Sequence, residues 1–174
     1  MLTVCWATAL TLLVAAHPPA HLTFNAPPAW HAETPSSSMR VAQFTLPHQP
    51  ADPEDAQLVV YYFGGQGGST QANLDRWIGQ MRQPDGRSSS AAAHIDKGTV
   101  NGLTLAIVDV SGTYTAEMSP GSADHYHKPD FRLIAAVLDT PAGPYFIKLT
   151  GPQKTVAAAE PAFRSFLQSI RYQP

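Results

Sequence analysis

Hydrophobic and polar positions alternate along much of this chain, and they switch to a helical period in two places. "MRVAQFTLP" (Met39 to Pro47) alternates around Val41 and Phe44 and predicts a strand that Pro47 ends. "AQLVVYYFG" (Ala56 to Gly64) is rich in β-branched and aromatic residues and predicts a central strand. The polar, Pro-broken "HQPADPED" (His48 to Asp55) separates the two. Upstream, "HPPAHLTFNAPPAW" (His17 to Trp30) holds too much proline for a helix and reads as a linker, a short strand around Leu22 to Phe24 and a turn at Pro27-Pro28.

The period changes after Gly64. Leu74, Trp77, Ile78 and Met81 fall at i, i+3, i+4 and i+7, one apolar stripe of a helix that Ser69 or Thr70 would cap. "RQPDGRSSS" (Arg82 to Ser90) reads as a loop, and "AAAHIDKGTVNGLTLAIVDVSGTYT" (Ala91 to Thr115) as a hairpin turned at Asn101-Gly102. After the polar "AEMSPGSADHYHKPD" (Ala116 to Asp130), "FRLIAAVLDTPAGPYFIKLTG" (Phe131 to Gly151) predicts a second hairpin about "TPAG". The other helical stretch is Thr155 to Arg171, with Phe163, Phe166, Leu167 and Ile170 on one face and Pro161 starting or kinking its last section. Successive hairpins require antiparallel pairing, so the fold class is α+β, with the two helices available to cover the sheet.

Composition adds bounds. The chain has 174 residues, enough for one domain, taken as residues 22–174. Charged residues make up 14 %, against roughly 25 % in an average soluble domain, with a net charge of -2. No basic stripe is visible, which argues against nucleic-acid binding. "MLTVCWATALTLLVAA" (Met1 to Ala16) has no charged side chain and is shorter than the ~20 residues of a membrane span. It fits the apolar region of a secretory signal, with residues 17–21 as a linker and an exported, periplasmic or extracellular product. Cys5, the one cysteine, falls in that segment, so neither a disulfide framework nor a Cys-rich zinc site is available.

Two stretches are candidates for binding chemistry. "GGQGGST" (Gly64 to Thr70) joins a strand to a helix, as phosphate loops do, and Gly67, Gly68, Ser69 and Thr70, with Arg76 on the helix, are its candidate ligand-binding residues. The lysine of a phosphate loop is missing, however, and Thr70 stands where a dinucleotide fingerprint needs its third glycine. The alternative is that the glycines permit a sharp reversal of the chain. "DHYHKPD" (Asp124 to Asp130) places His125 and His127 as candidate metal ligands, with Asp124 or Asp130 as an oxygen donor. A polar constellation of Asp75, Arg76 and Asp109 is conceivable, with surface pairing as its plainer role. Trp77 is read as core, Lys148 as an outward-facing guard of a sheet edge, and Tyr114 with the second hairpin as the lining of a groove.

Taken together, "FNAPPAW", "GGSTQANLDRWIGQM", "VDVSGTY", "YFIKLTGPQKTV" and the final "FLQSIR" resemble a group of uncharacterised exported bacterial proteins. That group is similar to the PsbP-like superfamily, which includes the photosystem II PsbP subunit and the Ran-binding Mog proteins. The resemblance covers about Leu22 to Arg171. It implies an α/β/α sandwich around a central antiparallel sheet, and no catalytic residues or cofactor. The expected function is a non-catalytic interaction or assembly module whose partner is another envelope protein. The alternative is a small-ligand or metal-binding module using the Gly64 to Thr70 loop or the His125/His127 loop.

Overall fold

The computed structural model describes residues 21–173; the predicted signal and nearly all of the linker lie outside them. Two short strands, β1 (His21–Thr23) and β2 (His31–Glu33), precede β3 (Arg40–Leu46) and β4 (Ala56–Tyr62). Helix α1 (Thr70–Gly79) follows, then the two-residue β5 (Met81–Arg82) and the single-turn α2 (Ser89–Ala92). The first hairpin is β6 (His94–Val100) and β7 (Leu103–Tyr114), and the second is β8 (Lys128–Asp139) and β9 (Tyr145–Pro152). Helix α3 (Gln153–Ser169) and β10 (Arg171–Gln173) complete the chain.

All strand pairs are antiparallel. The main sheet runs β2-β3-β4-β9-β8-β7, with β5 and β6 on the far edge of β7, while β1 pairs with β10 apart from it. Because side chains alternate across a strand, each strand feeds two cores. On one face Leu58, Val60, Ile134, Ala136, Ile147 and Leu149 pack under Phe163, Phe166 and Leu167 of α3. On the other, Val108, Leu133, Ala135, Val137 and Phe146 pack under Leu74, Trp77 and Ile78 of α1. The chain is thus an α/β/α sandwich of the α+β class, as the pattern and the resemblance imply.

The coverage is unequal. Helix α1 packs on β5, β7 and β8, and no helix among the described residues covers β3 and β4 on that side.

The helix ends show how the layers are tied. Ser69 caps α1, its hydroxyl accepting from the Ala72 amide at 3.2 Å. Helix α3 has no side-chain cap of its own. Asp52, from the loop between β3 and β4, supplies one: its carboxylate accepts from the Thr155 amide at 2.8 Å and the Thr155 hydroxyl at 2.6 Å. At the other end Asn101 donates to the Gln168 and Ile170 carbonyls at 2.9 and 2.7 Å. Asn101 and Gly102 have φ of 49° and 82°, the turn the sequence predicts.

Several local expectations are corrected. Met81 ends the apolar stripe but not the helix: α1 stops at Gly79, and Met81 pairs with Tyr114 while staying in the same core. Helix α3 begins at Gln153 and runs through Pro161, which sits exposed on the outer side. The segment after α1, read as a loop, holds β5 and α2; β2 and β10 are too short to show a period.

Candidate binding surface

The glycine loop is held from within. Gly64, Gly65 and Gly68 have φ of 60°, 81° and 79°, a region that costs other residues energy. A Cβ on Gly67 would lie 2.2 Å from the Phe146 ring. Asn73 is buried and donates its amide to the Gly67 and Ser69 carbonyls, both at 2.9 Å. Arg76 in turn donates to Asn73 Oδ1 at 2.6 Å. The structure therefore brings Gly67, Gly68, Ser69, Thr70 and Arg76 together around Asn73, a residue that sequence reasoning missed. Positive φ and the close approach of Phe146 are the backbone reasons for glycine at these positions.

His125 and His127 are both exposed. His125 Nδ1 lies 2.9 Å from the Thr115 carbonyl, a contact in which the ring donates. Among the described residues no three His, Cys, Asp or Glu side chains are grouped to hold a metal ion. The constellation of Asp75, Arg76 and Asp109 does not form. Asp109 points to the α3 face, where Arg132 grips it through Nε at 2.8 Å and Nη2 at 2.5 Å, while Glu160 of α3 accepts from the same guanidinium at 2.6 Å. Asp75 instead accepts from Gln71 at 2.9 Å.

Lys148 is the larger correction. Strand β9 lies between β4 and β8, so Lys148 guards no edge. Phe146, Lys148 and Thr150 project to the α1 side, and Lys148 stands opposite Val59 and Ala135. Its ammonium donates to Gln80 Oε1 at 2.7 Å and to the Tyr114 hydroxyl at 3.0 Å. Burial, helped by the nearby Arg76 charge, pulls its pKa down to about 7. Burial also pushes the Tyr114 phenol up to about 12, with Tyr61 and Tyr126 adding to the effect. Tyr61 is raised by burial against the opposing pull of Arg40 and Arg76. The Arg40 guanidinium lies 5.5 Å from the Tyr61 ring centre. Two residues along from Lys148, the buried Thr150 hydroxyl has no hydrogen-bond partner among the described residues.

The cations differ in their partners. Arg40 donates to Gln43 Oε1 at 2.7 Å, Arg76 to Asn73 Oδ1 and Lys148 to Gln80 Oε1. All three rest on neutral amide oxygens, and none forms an ion pair among the described residues. Arg132, on the α3 face, rests on two carboxylates. Nearby Glu33 is engaged by Gln43 and Thr45, and Glu54 by Lys128. The sequence carries one sign of this surface: a lone lysine in the apolar run "YFIKL".

No family model matches the sequence, and no curated protein is similar enough to count as a relative. Solved structures are similar in fold. LpqN of Mycobacterium tuberculosis, described as involved in cell envelope biogenesis, has a TM-score of 0.55 at 11% identity over 92% of this chain and 88% of that one. PA94 of Pseudomonas aeruginosa, a protein of unknown function, has 0.53 at 16% over 88% and 99%. Cyanobacterial PsbP from Synechocystis sp. PCC 6803 has 0.50 at 8% over 92% and 96%. The fold is therefore PsbP-like.

Proposed function

We propose that this chain is a non-catalytic, exported binding module of the cell envelope that docks another protein on the helix-free part of its sheet, beside α1. The observation that carries the reading is the group of Arg40, Arg76 and Lys148 on amide oxygens in a setting with few free carboxylates. Cations left on neutral partners retain the capacity for a stronger, charge-assisted bond. The apolar Met1 to Ala16 segment supports export, and the likeness in fold to LpqN supports the envelope by analogy alone. No helix among the described residues is long and apolar enough to cross a membrane.

A lysine near neutrality also suits proton abstraction or imine formation, so catalysis is weighed on geometry. Such chemistry favours an enclosed site that excludes water. The two best-formed concavities, of about 360 and 370 Å³, lie around Asp109 and Ser111 and between α1 and α2, and Lys148 lines neither. Lys148 is half-buried at the surface beside the exposed Arg76, a placement that suits docking.

The test is a photo-crosslinking residue placed at Gln57, exposed on the Lys148 side of β4, or at Ala158, exposed on α3. In intact cells Gln57 should yield a defined protein adduct that weakens in the R40Q/R76Q variant, and Ala158 should not. The same adducts from both positions, or none from Gln57, overturn the reading.

A further inference from the structure

We propose that the partner segment received on this face is acidic: an extended stretch with two or more carboxylates that bind Arg40, Arg76 and Lys148. The inference rests on the docking reading above and adds the chemistry of the partner. Three observations carry it. The first is the bonding pattern. Each cation donates to an amide oxygen of Gln43, Asn73 or Gln80, and a carboxylate makes a bond roughly twice as strong as a neutral acceptor. The acids of the surroundings are occupied: Glu33 by Gln43 and Thr45, Glu54 by Lys128.

The second is spacing. Arg40 stands on β3 and Lys148 on β9, with β4 between them. The backbones of the two residues are two strand intervals apart, about 10 Å, and offset along the strands, since Arg40 is in register with Phe146 through Tyr61. Alternate residues of an extended peptide are spaced about 7 Å apart, within the reach of long flexible cations. Arg76, on α1, adds a third charge near Tyr61 and Lys148.

The third is the ground beside the charges. Tyr61, on β4 between the strands of Arg40 and Lys148, is half-buried and stacks on Phe63 at 6.0 Å. Its ring offers flat apolar contact and its hydroxyl a hydrogen bond to a peptide backbone.

Binding should be linked to protons. The groups facing Lys148 are Tyr114 from β7, Tyr61 from β4, Arg76 from α1 and, farther out, Arg40 from β3; Gln80 does not titrate. An arriving carboxylate favours the charged ammonium. Below about pH 7 that charge is already present, and above it the complex must take up a proton, so affinity falls.

The probe is a fluorescently labelled hexaglutamate peptide, with hexaglutamine as its neutral counterpart, titrated at low salt with the purified exported chain. Hexaglutamate should bind, weaken with added salt and weaken again from pH 7 to 9; hexaglutamine should not bind. Lys148→Met and the R40Q/R76Q pair should each cost roughly tenfold with the fold retained, the unfolding temperature unchanged in R40Q/R76Q and not lowered in Lys148→Met, and Lys148→Met should also remove the pH dependence. Inorganic phosphate and anionic phospholipid vesicles are the other arms. Failure of hexaglutamate to bind, displacement of it by phosphate at equal charge concentration, or binding of vesicles alone overturns the proposal. A Gln57 adduct without hexaglutamate binding would sink the acidic chemistry and leave docking intact; the converse would sink docking.

Discussion

At Lys148 one side chain decides what its strand is for. Its neighbours Ile147 and Leu149 enter the α3-side core, and it puts the one charge of its strand into the sheet's other face. Burial lowers its pKa from 10.5 to about 7. Between these values the unfolded chain holds a proton that the folded chain releases, so stability rises with pH across that window. Below about pH 7 both states are charged and the cost of burying the charge is fully present. Tyr114 acts in the opposite sense, but only above its ordinary value near 10. Lys148→Met should therefore raise the unfolding temperature at pH 7 and flatten its rise between pH 7 and 10, as followed by thermal melts. A variant that melts lower at pH 7 would mean that the bonds to Gln80 and Tyr114 outweigh desolvation. The sequence shows that a lysine is there, but not that both flanks of its strand are filled.

Elements are closed by residues far away in the chain. Helix α3 opens on Pro152, which offers no capping side chain, and Asp52 bonds to its Thr155 from the β3–β4 loop, 103 positions away in the chain. Asp52→Ala should cost about 0.5–2 kcal/mol, the range for losing a helix cap, read by denaturant unfolding with an unchanged m-value. No loss would show that solvent serves that end of α3 equally well. For α1 the comparable signal was local and legible, because Ser69 sits three residues before the amide it accepts from. Asn101-Gly102 was legible as a turn for the same reason, whereas the bonds from Asn101 to the end of α3 were not.

Across the whole molecule the two faces treat charge differently. Arg132 is 15% exposed and bridges Asp109 and Glu160. For Glu160, burial works against ionisation, but the bonds to Arg132 and Arg164 outweigh it and hold the carboxyl below its usual range. Arg132→Met would leave Asp109 without its partner and Glu160 with Arg164 alone, and should cost up to about 3 kcal/mol. Arg40→Gln, the loss of the same charge on the other face, should stay within about 0.5 kcal/mol. Equal losses in parallel denaturant melts would contradict this difference between Arg132 and Arg40. Period and turn chemistry by themselves determined the long strands, both main helices, the antiparallel class and the Asn101 turn, since each depends on neighbours within a few residues. Only the tertiary structure decided that β9 is interior, that Asp109 and Arg76 lie apart, and that Asn73 bonds to the carbonyls of the glycine loop. Strand order and facing are set by contacts between distant segments, and burial, which gives Lys148 its chemistry, exists only once those segments have packed.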